Sequence, residues 1–129
     1  APEPELFEQE RFKHNEINLK KLLKTINSRI ETLLDKDHLI GHSYFMGIKT
    51  LSDIQSAFKN KIIPLLEEYF YGKPQIIGMI LGPKLIQEKD GISFFSEFDN
   101  DYSNVAEKKR YNVIIPEDWE SYRSIYAGN

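Results

Sequence analysis

Apolar residues recur at three- and four-residue steps through two long stretches of the chain, a spacing that predicts two amphipathic helices. In the first stretch the apolar positions are Leu19, Leu22, Leu23, Ile26, Ile30, Leu33 and Leu34. Asn18 precedes them and suits the N-cap position, because its side chain can accept a hydrogen bond from a backbone N–H of the first turn. We therefore predict a helix that starts after Asn18 and buries one face.

The second stretch begins at Thr50-Leu-Ser-Asp53, a capping box with aspartate in place of the usual glutamate. Its apolar positions are Leu51, Ile54, Phe58, Ile62, Leu65, Leu66, Tyr69 and Phe70. Gly72 supplies a C-terminal stop. Pro64 removes one backbone donor inside this stretch, so we expect a kink there unless the helix is split in two.

Weaker patterns predict the flanking helices. Residues 4–14 place three apolar side chains among good helix formers, which favours a first helix. Pro74, four apolar residues and the terminator Gly82-Pro83 predict a short helix after the second long one. Three or four helices are therefore expected to share one core.

The pattern of apolar and polar residues changes from helical to strand-like after Gly82. Residues 92–98 and 111–115 are short β-rich runs, and the polar stretch 99–110 between them suits a loop. Residues 116–125 then predict a helical turn or two. The fold class predicted is mainly α, with a small two-stranded β appendage and a short C-terminal helix.

Composition narrows the function classes. The chain has 129 residues, which fits one domain, and it has no cysteine, which excludes disulfides, thiolate metal sites and cysteine nucleophiles. No apolar run approaches the ~20 residues that span a bilayer, so we expect a soluble, cytoplasmic protein with no membrane partner. The net charge is −3 and the lysines alternate with acidic residues, so direct nucleic acid binding is not expected.

The chemistry-bearing residues form no self-contained catalytic motif. The chain has neither a phosphate-binding Gly-x-x-x-x-Gly-Lys-Ser/Thr loop nor a dinucleotide-binding glycine motif. His38 and His42 are four residues apart, but Gly41 between them favours hydrogen-bonded turn residues over metal ligands. The carboxylates at Glu67-Glu68 and at 99–101 are interpreted as solvated surface.

The aromatic residues leave two interpretations open. Tyr69-Phe-Tyr71 together with Tyr44-Phe45 are suited to stack on a nucleic acid base. Aromatic residues at helical spacing more often fill a core, and we favour that interpretation. The segment 37–48, which lies between the two long helices, holds two histidines, two aromatic residues and a glycine turn, so function is expected there.

Three segments of the chain carry a family resemblance: Leu33-Leu-Asp35, Ile40-Gly-His-Ser-Tyr-Phe45 and Lys61-Ile-Ile-Pro-Leu-Leu-Glu-Glu-Tyr-Phe-Tyr71. They closely resemble the C-terminal region of the McrB family, the AAA+ GTPase subunits of modified-cytosine restriction systems. The resemblance covers about residues 1–82. The chain starts without methionine, and Ala1-Pro-Glu-Pro-Glu-Leu6 resembles the segment that enters the family's helical lid, so we expect a piece of a longer protein.

The resemblance implies a helical bundle of the AAA+ lid type. Residues 1–15 would be the linker or first helix from the AAA+ core, 16–82 the lid, and 83–129 a small β-containing extension. The lid closes over nucleotide held by the core, and many relatives carry a sensor arginine in the turn that corresponds to 41–45. This chain has no arginine there. By resemblance, His42, Ser43 and Tyr44 are the candidate contacts to nucleotide or to a neighbouring subunit.

The family further implies GTP or ATP with Mg²⁺, a ring of subunits, and a McrC-like nuclease partner that cuts DNA. DNA recognition in this family belongs to a different N-terminal domain, and the segment alone is not expected to be catalytic. A competing hypothesis is a free-standing protein-interaction module, because the same helices would serve either role.

Overall fold

The computed structural model describes residues 17–90 and 109–127, and these form a helical bundle with a small antiparallel sheet and a short C-terminal helix. The predicted fold class is confirmed. The helices are α1 (Leu19–Leu33), α2 (Leu51–Ala57), α3 (Ile63–Tyr69), α4 (Pro74–Leu81) and α5 (Trp119–Arg123). The predicted helix over 4–14 and the predicted strand over 92–98 lie outside the described residues. No described helix is long and apolar enough to cross a membrane.

Helix α1 starts as its sequence predicts but ends earlier than its apolar pattern. The Asn18 side chain accepts a 2.9 Å hydrogen bond from the backbone N–H of Lys21. The buried face consists of Leu19, Leu22, Ile26 and Ile30. Leu33 and Leu34 were predicted on this face but are 38 % and 40 % exposed, because the helix ends at Leu33 and the backbone of Leu34 leaves the helical conformation.

The second long helix is continuous through Pro64 by means of a π-helical segment, Phe58–Ile62, that joins α2 to α3. The Ile63 N–H bonds to the carbonyl of Phe58, five residues back. This wider turn relieves the crowding of the proline ring against the carbonyl four residues before it. The expected interruption is therefore a π turn that ends just before Pro64. The predicted capping box is present: Asp53 N–H donates to Thr50 Oγ1, and Thr50 N–H donates to Asp53 Oδ2.

Helix α4 ends at Gly82, whose φ of 91° lies in the left-handed region that favours glycine. Strands β1 (Ile86–Asp90) and β2 (Lys109–Val113) then pair antiparallel, with Ile86 opposite Val113. The sequence did not predict β1, and it placed the second strand two residues too late, at 111–115. Only one residue of β1, Ile86, is apolar, so β1 has no alternating pattern that would predict a strand. The strand is recognised only by its pairing with β2.

The C-terminal helix shares the core of the bundle. The Tyr122 ring is fully buried with its centroid 5.0 Å from that of Phe58 in the π segment. Its hydroxyl donates a 2.7 Å hydrogen bond to the carbonyl of Pro116. The backbone N–H of Asn18 donates to the hydroxyl of Tyr126 at 2.9 Å. The described tail therefore packs against the start of α1 and against the π segment.

Candidate functional site

The turn that carries the predicted site residues is a short 3₁₀ helix, His42–Phe45, which follows Gly41. Phe45 is fully buried, and its ring centroid lies 6.0 Å from that of Phe58. His42 and Ser43 are exposed and Tyr44 is half-buried against the core. One residue thus anchors the turn while its three neighbours remain available at the surface.

Asn27 of α1 holds the chain just before this turn. Its side-chain amide donates to the carbonyl of Ile40 at 2.9 Å, and its carbonyl accepts from the Ile40 N–H at 2.7 Å. Two hydrogen bonds from one side chain fix both the position and the orientation of the Ile40 peptide groups. Sequence reasoning missed Asn27, because an asparagine on a helix gives no local signal of a partner 13 residues away.

A second fixed group lies beside the turn. Asp35 accepts hydrogen bonds from the Asp37 N–H at 2.8 Å and from His38 Nδ1 at 2.6 Å. The His38 ring then meets Tyr69 of α3 edge to face at 4.9 Å. The prediction that His38 is a hydrogen-bonded turn residue is confirmed.

These contacts shift the pKa values of two side chains, Asp35 and Tyr69. The hydrogen bond from the His38 side chain holds the pKa of Asp35 below its usual range. Burial raises the pKa of Tyr69, and the nearby charges of Tyr44, Glu68 and Asp35 add to this effect. Tyr69 therefore lies partly buried, beside the His38 ring and close to acidic side chains.

Two neighbouring cavities meet at Tyr44 and Lys61. Among the described residues, Ser43, Tyr44 and Lys61 line the first, of about 460 Å³. The second, of about 150 Å³, is also lined by Met46, Gly47, Ile48, Asp53, Ser56 and Ala57. The structure therefore brings the π segment to the predicted turn, a proximity that the sequence analysis did not anticipate.

A larger cavity of about 650 Å³ lies along α1, away from the predicted residues. The described residues that line it are Asn18, Lys20, Lys21, Lys24, Thr25, Ser28 and Arg29. They include four cations and no carboxylate. Arg29 Nη1 donates to the Ile80 carbonyl at 2.6 Å, and burial lowers the pKa of its guanidinium.

The other residues singled out in the sequence have simpler positions. Glu67 and Glu68 are exposed, and the carboxylates at 99–101 lie outside the described residues. Phe70 is buried and Tyr69 half-buried, which agrees with a core role, whereas Tyr71 is 88 % exposed. Within 17–90 and 109–127, no group of three or more histidine or acidic side chains is arranged to hold a metal ion.

Comparison with known families bears directly on this region. Residues 18–78 match the family model described as the McrB alpha-helical lid domain. The matched segment runs from the N-cap of α1 into α4 and so includes the turn at 42–45, the His38 group and the π segment. None of the curated proteins compared with the chain matches it.

Proposed function

We propose that the chain closes over a nucleotide bound by the AAA+ core of the same protein, because residues 18–78 match the McrB alpha-helical lid domain. The family match is the observation that carries the proposal. It associates the chain with a McrB-like AAA+ core. Closure, the nucleotide and the contacting residues are what the proposal adds.

The structure of the turn at 42–45 supports a role in contacting a ligand. His42 and Ser43 are exposed on a turn whose base is held by buried Phe45 and by the Asn27 bonds to Ile40. A lid that contacts a ligand needs exposed polar groups on a rigid support, since ordering a loose loop on binding costs free energy. We assign His42, Ser43 and Tyr44 to contacts with nucleotide or with the adjoining subunit.

Exposed apolar residues give further support. Among the described residues, Leu33, Leu34, Leu39 and Met46 flank or belong to the segment 34–46 and are 38 %, 40 %, 41 % and 37 % exposed. Large apolar side chains gathered in one exposed segment are typical of surfaces that another domain covers. In the proposal, the AAA+ core or an adjacent subunit covers this segment when the lid closes.

The finer assignments follow from the family and remain part of the proposal. The nucleotide is GTP, or ATP, with Mg²⁺; the subunits form a ring; and a McrC-like nuclease cuts modified-cytosine DNA. The described residues offer hydroxyls and an ammonium suited to phosphate oxygens, but no cluster of metal ligands. In the proposal, the AAA+ core holds the Mg²⁺.

The test uses the full-length protein and measures GTP and ATP hydrolysis together with the oligomeric state. We expect His42→Ala and Tyr44→Ala to lower turnover or ring assembly about tenfold, the scale of losing one hydrogen bond of about 1 kcal/mol. Tyr71→Ala is the control, because Tyr71 is 88 % exposed and is not in the turn.

Turnover and assembly equal to wild type in both turn variants would return the turn to a packing role. The 129-residue chain alone should hydrolyse neither nucleotide. A full-length protein that neither binds nor hydrolyses nucleotide would contradict the proposal and favour the interaction module.

A further inference from the structure

We propose that Lys61, together with Ser43 and Tyr44, binds phosphate oxygens of the nucleoside triphosphate, so that a lysine on the π segment supplies the cation that the turn itself lacks. This inference rests on the proposed lid function and names its ligand chemistry. Neither the sequence motif nor the family match assigns a role to Lys61.

Lys61 and the turn border the same two cavities. Lys61 lines both cavities that border the turn, and Tyr44 is the other residue common to the two. Ser43 completes the described lining of the larger cavity. Three residues from two elements, which carry one ammonium and two hydroxyl groups, therefore line the same space.

The two elements that carry these side chains are rigid. The turn and the π segment are joined by the contact between the buried rings of Phe45 and Phe58. On the π segment, Phe58 and Ile62 are both fully buried, so the backbone on either side of Lys61 is held by the core. Single π turns inside α-helices occur frequently at functional sites.

Lys61 is exposed, and no described carboxylate forms an ion pair with it. Among the described residues, Asp53 has the one carboxylate that borders either cavity, and its Oδ2 accepts from the backbone N–H groups of Lys49 at 2.8 Å and Thr50 at 3.0 Å. That carboxylate therefore already accepts hydrogen bonds from the backbone at the start of α2.

An ammonium offers three donors and each hydroxyl offers one, whereas phosphate oxygens are acceptors with negative charge. A lysine binds phosphate as a flexible point charge, so it does not need the bidentate geometry that a planar arginine guanidinium requires. Donors without a neighbouring free carboxylate select an anion over a cation.

The experiment measures binding of GTP and ATP to the full-length protein and its Lys61→Gln, Lys61→Arg and Lys59→Gln variants. We expect Lys61→Gln to weaken triphosphate binding about tenfold, as for the loss of one charge-assisted hydrogen bond. Lys61→Arg should stay within about threefold of wild type, because it keeps the charge and its donors. Circular dichroism should show the same helicity in all four proteins.

Lys59 is the matched control. It is also an exposed lysine of the π segment, two residues away, but it lines a different cavity, together with Glu117. Its substitution should leave triphosphate binding unchanged. Lys61→Gln equal to wild type, or equal losses in the Lys59 and Lys61 variants, would overturn the assignment of Lys61.

Failure of this inference is distinct from failure of the lid function. If His42→Ala and Tyr44→Ala impair turnover while Lys61→Gln binds nucleotide normally, the lid role stands and only the Lys61 assignment is wrong. If the wild-type protein binds neither GTP nor ATP, both are overturned.

Discussion

At the scale of single residues, Asp35 and His38 provide the clearest link between a contact and a measurable property. The carboxylate accepts from His38 Nδ1 at 2.6 Å, which holds the pKa of Asp35 below its usual range. Because the folded pKa is lower than the unfolded one, the stabilisation is present above the unfolded pKa. It is lost as the pH falls through the folded pKa.

We expect His38→Ala to raise the pKa of Asp35 towards its ordinary value, because the strongest contribution to its lowering is removed. An NMR titration of the Asp35 carboxyl measures this. His42→Ala is the control, since His42 lies in the next turn and Asp35 should titrate there as in wild type. An unchanged Asp35 titration in His38→Ala would show that the hydrogen bond does not form in solution.

Residue-scale sequence reasoning succeeded where partners are local. The caps at Asn18 and Thr50 bond to backbone groups three residues away, so the printed sequence contains both partners of each bond. Asn27 and Tyr126 bond to residues 13 and 108 positions away, and only the assembled fold brings those partners together. The support of the candidate site was therefore invisible, although its exposed residues were singled out by resemblance.

At the scale of elements, the π segment shifts the buried face of the second long helix. Without an extra residue, the helical period predicts burial of Leu65 and Tyr69. The structure leaves both half-buried and instead buries Ile63, which lies beside Ile62. The helical period used on the sequence assumes a rotation of about 100° per residue throughout. It therefore cannot show where a π turn adds an extra residue and shifts the buried face. The half-buried Tyr69 is left at the surface to contact His38.

The contact between α4 and β1 gives the element-scale prediction. A Cβ added at Gly78 would lie 2.8 Å from Cδ1 and 3.2 Å from Cγ2 of Ile86. In Gly78→Ala the gain in helix propensity is about 1 kcal/mol. Displacing Ile86 costs about 1–3 kcal/mol. We therefore expect a net decrease in the free energy of unfolding.

Ile86→Val removes the Cδ1 atom and so relieves the closest contact. In that background Gly78→Ala should be less destabilising than in wild type, or even stabilising. Urea denaturation of the two single variants and the double variant measures the coupling. Strictly additive effects would show that Ile86 moves aside without cost.

At the scale of the whole molecule, a chain of aromatic contacts joins the lid segment to the C-terminal helix. Phe45 of the turn contacts Phe58 of the π segment, and Phe58 contacts Tyr122 of α5. All three are fully buried. The tail and the candidate site therefore share one core, and a change in the tail is expected to reach the turn through packing.

Tyr122→Phe tests this integration. The Tyr122 hydroxyl donates to the Pro116 carbonyl at 2.7 Å, and that carbonyl also accepts from Gln55 Nε2 at 3.0 Å. Because the acceptor keeps one donor, we expect a loss of about 1 kcal/mol in the free energy of unfolding. Tyr71→Phe, at a residue 88 % exposed, should be neutral in the same urea experiment. A neutral Tyr122→Phe would mean that water replaces the lost donor.

The sequence predicted the function of the molecule only in part. Periodicity and caps predicted a helical bundle, but the same bundle would suit an interaction module. The resemblance at 40–45 and 61–71 supplied the McrB lid, which the family match over 18–78 confirms. No pattern in the sequence placed Lys61 beside Ser43 and Tyr44, because that proximity depends on the packing of Phe45 against Phe58.

Backbone hydrogen exchange of the full-length protein, with and without a non-hydrolysable GTP or ATP analogue, tests the central claim most directly. We expect slower exchange across residues 41–46 when the analogue binds, while the exposed residues 71–73, which lie outside the turn, exchange at the same rate in both states. Nucleotide binding that leaves exchange at 41–46 unchanged would contradict the claim that this turn is the part of the lid that closes on nucleotide.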